Sequence, residues 1–288
     1  MDYAIQRCCI TSVFLKQYET STDAVLNRLG IELRDIKEFN CCGFPLKNSD
    51  FKGYVLSSAR NIALADKQGL NIVTLCNCCY GSLRHADRQL KKDPALKNDI
   101  NEILKKEGLE FTGRTEINHV LEVLNRDVGI EAIGAKITRQ LKDLKIAVHY
   151  GCHILRPREL VQFNSPGSSN VFDELVALTG AELVSWDQQE ECCGSSIYGI
   201  NDDLSMDLTR KKIETAQKAH ADILCTACCY CQTQFDRVQK RLGKQRNMEN
   251  LPSIIITQLL GLCLGIDQQT LGIQDNELSL DKLMDKLS

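Results

Sequence analysis

The chain has 288 residues, with 35 Lys and Arg against 38 Asp and Glu and a formal net charge of −3. Hydrophobic residues at 43% and charged residues at 25% exclude a disordered chain, and the near-neutral balance lacks the basic footprint of a nucleic-acid binder. The unusual count is 15 cysteines, an odd number that cannot be fully paired, in a chain too long to need a disulfide scaffold.

Met1 to Arg7 shows no basic segment followed by an apolar run, so no signal peptide is expected. Tyr3–Gln6 reads as a short strand and Thr20–Leu29 as a helix stopped by Gly30. Ile31–Ile36 alternates like a strand, Val55–Gln68 reads as a helix ended by Gly69, and Asn71–Leu75 is a β-type run leading into cysteines. Tyr80–Leu90 is the helix that follows. This βαβ rhythm predicts an α/β fold with a largely parallel sheet. Residues 91–144 are rich in Lys, Glu and Leu, hold no cysteine and read as a mostly helical insert and linker. The rhythm restarts with Lys145–His149 as a strand, Val171–Thr179 as a helix ended by Gly180, and Glu182–Ser185 as a strand. Leu204–His220, Asp222–Leu224 and Gln232–Leu242 read as helix, strand and helix. Ile254–Ile266 is the most apolar stretch, shorter than the roughly 20 residues of a membrane span. The tail after Gly265 is polar and acidic and reads as a surface segment or a partner arm. The expected division is a first half over 1–90, the insert over 91–144, a second half over 145–266 and a tail over 267–288. The expected compartment is the reducing cytoplasm, where thiols stay free or bind metal.

The cysteines form an internal repeat. The first half gives Cys9, then Cys41-Cys42-Gly43 after 31 intervening residues, then Cys76-x-x-Cys79, with 33 residues between Cys42 and Cys76. The second gives Cys152, then Cys192-Cys193-Gly194 after 39, then Cys228-x-x-Cys231, with 34 between Cys193 and Cys228. Five cysteines in one order recur twice, which leaves Cys8, Cys78, Cys225, Cys229 and Cys263 over.

Each CxxC follows a short strand and precedes a helix, where N–H groups and the helix dipole stabilise thiolates. The Cys-Cys-Gly turn aims two more sulfurs, with Gly allowing close backbone approach. A fifth sulfur comes from the loop after the first strand of each half. All three loops can converge at the C-terminal ends of parallel strands, the ligand edge of such a sheet. Five thiolates exceed the four of tetrahedral zinc, and adjacent cysteines suit a multinuclear iron–sulfur cluster better than a single ion. The run C-x2-C-x2-C-x3-C-P is absent, which disfavours an ordinary cubane site. Structural zinc on four of the five cysteines, a dithiol–disulfide relay between the CxxC pairs, and buried free thiols remain as alternatives. The five left-over cysteines read as buried thiols near the sites, with Cys263 in an apolar helix.

The pattern Cys9…Cys41-Cys42-Gly43…Cys76-x-x-Cys79 and its copy Cys152…Cys192-Cys193-Gly194…Cys228-x-x-Cys231 resembles the doubled CCG motif that marks the B-type component of heterodisulfide reductase and its relatives. His149-Tyr150-Gly151-Cys152-His153-Ile154-Leu155-Arg156-Pro157 and Leu251-Pro252…Gln258-Leu259-Leu260-Gly261 are similar to further stretches of that family. The resemblance covers about residues 1 to 266. It departs at Cys8, where the family commonly has glycine. The resemblance implies two pseudo-symmetric Rossmann-like α/β halves, each with one CCG motif. It implies two non-cubane [4Fe-4S] clusters, one on Cys9, Cys41, Cys42, Cys76 and Cys79, the other on Cys152, Cys192, Cys193, Cys228 and Cys231. It also implies reductive cleavage of a disulfide held between the clusters, the coenzyme M–coenzyme B heterodisulfide or an analogue, as in methanogenesis. The implied partners are a small cubane iron–sulfur subunit and a flavin-containing subunit.

His149, His153 and Arg156, with Arg158, gather beside a cysteine of the second set. Read functionally, they bind an anionic substrate tail or donate protons to product thiolates; read structurally, they form a strand end and surface pairs. Tyr80 and Tyr230, each beside a CxxC cysteine, read as packing residues. The competing functional reading is a non-catalytic electron-transfer subunit, like the CCG subunits of lactate, glycolate or glycerol-3-phosphate oxidising systems.

Overall fold

The computed structural model describes residues 1–161, 163, 170–246 and 248–287. Its described strands form two four-stranded sheets, each parallel throughout. The first has the order β2-β1-β3-β4, from β1 (Asp2–Gln6), β2 (Glu32–Arg34), β3 (Asn71–Thr74) and β4 (Ile117–His119). The second has the order β6-β5-β7-β8, from β5 (Lys145–His149), β6 (Glu182–Leu183), β7 (Ile223–Thr226) and β8 (Ser253–Ile255). The central strands are covered on both faces. They therefore read as continuous apolar runs, Tyr3-Ala4-Ile5 and Ile146-Ala147-Val148, all buried. The helix Lys16–Arg28 buries Tyr18, Val25 and Leu26 on one stripe against this sheet, and Gly30 follows it at φ +87.

The two sheets are locked together by exchange. After its fourth strand each half sends a helix onto the other half. Val120–Glu122 packs on Val171–Ala177, and Ile256–Cys263 packs on Lys16–Arg28. Every residue of Ile256–Cys263 is buried, and Ser21 and Thr257 share a hydroxyl hydrogen bond of 2.7 Å across the contact. This is why Ile254–Ile266 is the most apolar stretch: it is core to both halves. Among the described residues no helix is long and apolar enough to cross a membrane.

Two expectations need correction. The stretch 91–144 holds the helix Pro94–Leu104, but also β4, the fourth strand of the first sheet. Three residues, all buried, carry no alternation for a sequence pattern to reveal. The acidic tail is neither a bare surface segment nor a free arm. Leu271, Leu278, Leu280 and Leu283 are buried, and the Asp236 carboxylate accepts from the Glu277 and Leu278 N–H groups at 2.9 Å each.

Candidate metal centres between the halves

The cysteines stand at the C-terminal ends of the parallel strands. Cys9 and Cys152 each lie three residues past the end of a central strand, after Gln6 and His149. Cys76 and Cys228 follow β3 and β7 and are the extended N-cap residues of the helices Asn77–Lys92 and Cys229–Thr233. Cys79 and Cys231 fall in the first turns of those helices, where free N–H groups favour thiolate over thiol.

The Cys-Cys-Gly turns are forced by packing. Gly43 and Gly194 have φ of +82 and +91. A Cβ on Gly43 would lie 2.8 Å from the Tyr54 carbonyl oxygen, and one on Gly194 would lie 2.6 Å from that of Ser205. Only glycine meets both demands. Behind each turn a helix hydroxyl fixes the second cysteine: Ser58 Oγ donates to the Cys42 carbonyl at 2.7 Å, and Thr209 Oγ1 to that of Cys193 at 3.1 Å.

The five cysteines of the first half form an unbroken run of thiol contacts, Cys9 to Cys41, Cys42, Cys79 and Cys76. In the second half Cys152 meets Cys192, while Cys193 meets Cys231 and Cys231 meets Cys228. The exposure pattern repeats. Cys9 and Cys41 are exposed, Cys152 and Cys192 half-buried, and Cys42, Cys76, Cys79, Cys193, Cys228 and Cys231 buried. Crowded thiols share protons unequally. Hydrogen bonds from Cys42 and Cys9 hold Cys41 down to about 2, and one from Cys152 holds Cys192 down to about 6, while Cys9 and Cys152 are pushed up. Such a crowded set of sulfur donors, which ionise on binding metal, suits a polynuclear cationic group.

The two sets touch, because Cys76 contacts Cys228 and Cys229 across the halves. Cys8 adds a further thiol: it lies within 4.8 Å of Cys76 and Cys79, and contact with Cys229 holds it down to about 6. Of the other left-over cysteines, Cys78, Cys225 and Cys229 are buried close by, and Cys263 is buried in the apolar helix Ile256–Cys263.

One cleft is lined by all five cysteines of the second set together with Phe44, Asn77 and Cys78 from the first half. His153 and Tyr230 complete its wall. His153 Nδ1 stands 3.3 Å from Cys78 Sγ and 3.6 Å from Cys152 Sγ, and its ring meets Phe44 edge-on at 4.9 Å. Burial draws its pKa below the ordinary histidine value. The halves close on it because Gly81 lies against the His153 carbonyl, where a Cβ would be 2.9 Å away, and Asn77 Nδ2 donates to the Tyr150 carbonyl at 2.7 Å.

None of the other three residues singled out with His153 lines the cleft, and Arg158 lines a separate pocket with Arg156 and Glu190. Arg156 is exposed, paired with Glu191 at 3.2 Å, and lines a neighbouring pocket with Lys47, His85 and His153. His149 is fully buried behind the second set, within 4.8 Å of Cys193 and Cys231, and does not line the cleft. Tyr80 is buried and donates to Glu122 at 3.0 Å, a packing role. Sequence reasoning missed Phe44, Asn61 and Lys212. Burial draws the Lys212 ammonium down to about 8 against neighbouring thiols of Cys193, Cys231 and Cys192 that hold it up. Its only sequence signal was its place in a helix that otherwise reads as amphipathic.

Comparison with known proteins agrees with this geometry. The cysteine-rich CCG domain family matches residues 3–84 and 146–236. The chain is 35% identical over 285 residues to the B-type component of the ferredoxin:CoB-CoM heterodisulfide reductase of Methanosarcina mazei, covering 97% of this chain and 94% of that protein. It is 33% identical to the 8-methylmenaquinol:fumarate reductase membrane anchor subunit of Wolinella succinogenes, over 98% of this chain and 99% of that protein. A crystal structure of a hypothetical protein from Helicobacter pylori shares the fold at a TM-score of 0.77 and 16% identity, over 96% of this chain and 51% of that one. Two cysteine-rich domains, repeated in sequence and in structure, place this chain in the doubled CCG-domain family that includes the B-type component of heterodisulfide reductase.

Proposed function

We propose that the chain is the catalytic subunit of a heterodisulfide reductase-type complex. It holds one non-cubane [4Fe-4S] cluster on Cys9, Cys41, Cys42, Cys76 and Cys79, and another on Cys152, Cys192, Cys193, Cys228 and Cys231. The donor set supports this: five thiols in each half, an unbroken run in the first and two groups of touching thiols in the second, with Cys9, Cys41, Cys152 and Cys192 toward the open side. When bound, the clusters supply one electron each and open iron positions for sulfur. The overall reaction breaks one S–S bond, takes up two electrons and two protons, and releases two thiols.

The chain's own residues do the rest. His153, with Nδ1 3.3 Å from Cys78 Sγ at the cleft, passes a ring proton to a product sulfur. Phe44 and Tyr230 narrow the cleft and keep water from it. Lys47 and Arg156, in the adjoining pocket, take the anionic end of the substrate. The observation that carries this reading is the single cleft shared by a complete cysteine set and the facing half. The coenzyme M–coenzyme B heterodisulfide is the proposed substrate, because the Methanosarcina mazei relative is named for it. A small cubane iron–sulfur subunit and a flavin-containing subunit are the proposed partners and the cytoplasm the proposed location.

Anaerobically reconstituted protein should cleave this heterodisulfide with reduced viologen as donor. Loaded protein that turns over no disulfide would contradict the catalytic reading. The similarity to the Wolinella succinogenes protein would then favour the second reading, an electron-transfer subunit of another oxidoreductase complex.

A further inference from the structure

The halves correspond closely around their Cys-Cys-Gly turns, so their electrostatic differences can be located residue by residue. Positions 151 apart match: Gly43 with Gly194, the helix caps Asp50 with Asn201, and Ser58 with Thr209. The same offset pairs Asn61 with Lys212. Gln6 and His149, the last residues of β1 and β5, correspond as well.

Behind the first set these two positions are neutral. Asn61 Nδ2 donates to Gln6 Oε1 at 2.8 Å, and both side chains are buried. Behind the second set they are an ammonium and an imidazole. Lys212 is 1% exposed. It donates to the Gln188 carbonyl, and its Nζ stands 5.4 Å over the Trp186 ring. Among the described residues no carboxylate lies within ion-pair distance of it, and its charged surroundings are the thiols of Cys192, Cys193 and Cys231, with Glu191 farther out. Neither ring nitrogen of His149 makes a close hydrogen bond, its only polar neighbour of that kind among the described residues being the Gln189 backbone, and it lies within 4.8 Å of Cys193 and Cys231. Arg7, which lines a pocket with Cys9 and Cys41 of the first set, is already neutralised by Asp23 at 3.1 Å and Asp35 at 2.8 Å.

A buried ammonium with no counter-ion is costly, and so is a buried imidazole that lacks a close hydrogen bond. A thiolate-held cluster carries the negative charge and the sulfur acceptors that both groups lack. We propose that Lys212 and His149 are positioning residues that hold the second cluster site at a higher reduction potential than the first. A nearby positive charge and N–H donors aimed at cluster sulfurs stabilise the reduced, more negative state. The neutral Gln6–Asn61 pair offers the first site no such help. Electrons passing from the first half to the second therefore run downhill.

This inference rests on the cluster reading above, and one experiment tests them separately. The full chain is reconstituted anaerobically, its iron is counted, and its paramagnetic signals are titrated against potential. Cys41→Ser and Cys192→Ser assign each signal to a half. The second site should have the higher midpoint. Lys212→Gln should lower that midpoint and leave the first unmoved, and Asn61→Lys should raise the first. Equal or reversed midpoints in a fully loaded wild-type chain would overturn the inference alone, as would a Lys212→Gln chain that loads fully with its midpoints unchanged. If Lys212→Gln does not load, the wild-type order and Asn61→Lys still decide. A wild-type chain that takes up no iron defeats the cluster reading and this inference with it.

Discussion

Gly43 and Gly194 do at the residue scale what no other amino acid could do there. Each combines a left-handed backbone with a carbonyl oxygen under 3.0 Å from the place of a Cβ. Gly43→Ala should therefore cost about 2 kcal/mol or more in unfolding free energy, read by denaturant titration, because strain and clash add. An unchanged midpoint would mean that the turn relaxes freely. His153 is a test of a different kind, since it touches the cleft without being one of the proposed ligands. His153→Gln should lower disulfide turnover by about 100-fold or more while iron content stays the same. Loss of iron in parallel with activity would instead assign His153 to holding the site.

Among the elements, the C-terminal tail shows why packing outranks composition. Its polar, acidic character hides the buried Leu278 and also Leu271, Leu280 and Leu283, which meet the core at spacings too irregular for a periodic signal. Asp236, on the π-helical turn Gln234–Val238, pins it by accepting two backbone N–H groups. Removing that carboxylate with Asp236→Ala should destabilise the chain by about 1–3 kcal/mol, leaving a buried and a half-buried backbone donor unmatched, and should expose the tail to limited proteolysis. Burial raises the Asp236 pKa above 3.8, so the folded chain binds this proton more tightly than the unfolded one. The stability this contributes is present below 3.8 and is lost as pH rises through the folded value. Asp236→Asn should flatten that fall in a pH series of unfolding midpoints, and an unaltered slope would assign it to other carboxyls. The strand β4 was illegible for a related reason: Ile117, Asn118 and His119 form a strand only because β3 lies beside them.

At the scale of the whole molecule, the repeat was legible because chemistry left it in residue type and spacing. Two sets of five cysteines, two glycine turns and two strand-to-helix CxxC loops can all be read off the chain, and the parallel sheets follow from the βαβ rhythm. What joins the halves was not legible. The crossing of Val120–Glu122 and Ile256–Cys263 depends on packing between distant segments. So do the contact of Cys76 with Cys228 and the placing of His153 opposite Cys78. The same holds for His149, adjacent in sequence to the cleft-forming loop but turned behind the second set beside Lys212.

The central claim is that each half holds its own multinuclear centre, and metal content tests it most directly. Anaerobically reconstituted chain should carry about eight irons with matching acid-labile sulfide, and Cys41→Ser or Cys192→Ser should perturb the signal of its own half only. One or two zinc ions per chain without iron, or cystines in place of the proposed ligands, would contradict it.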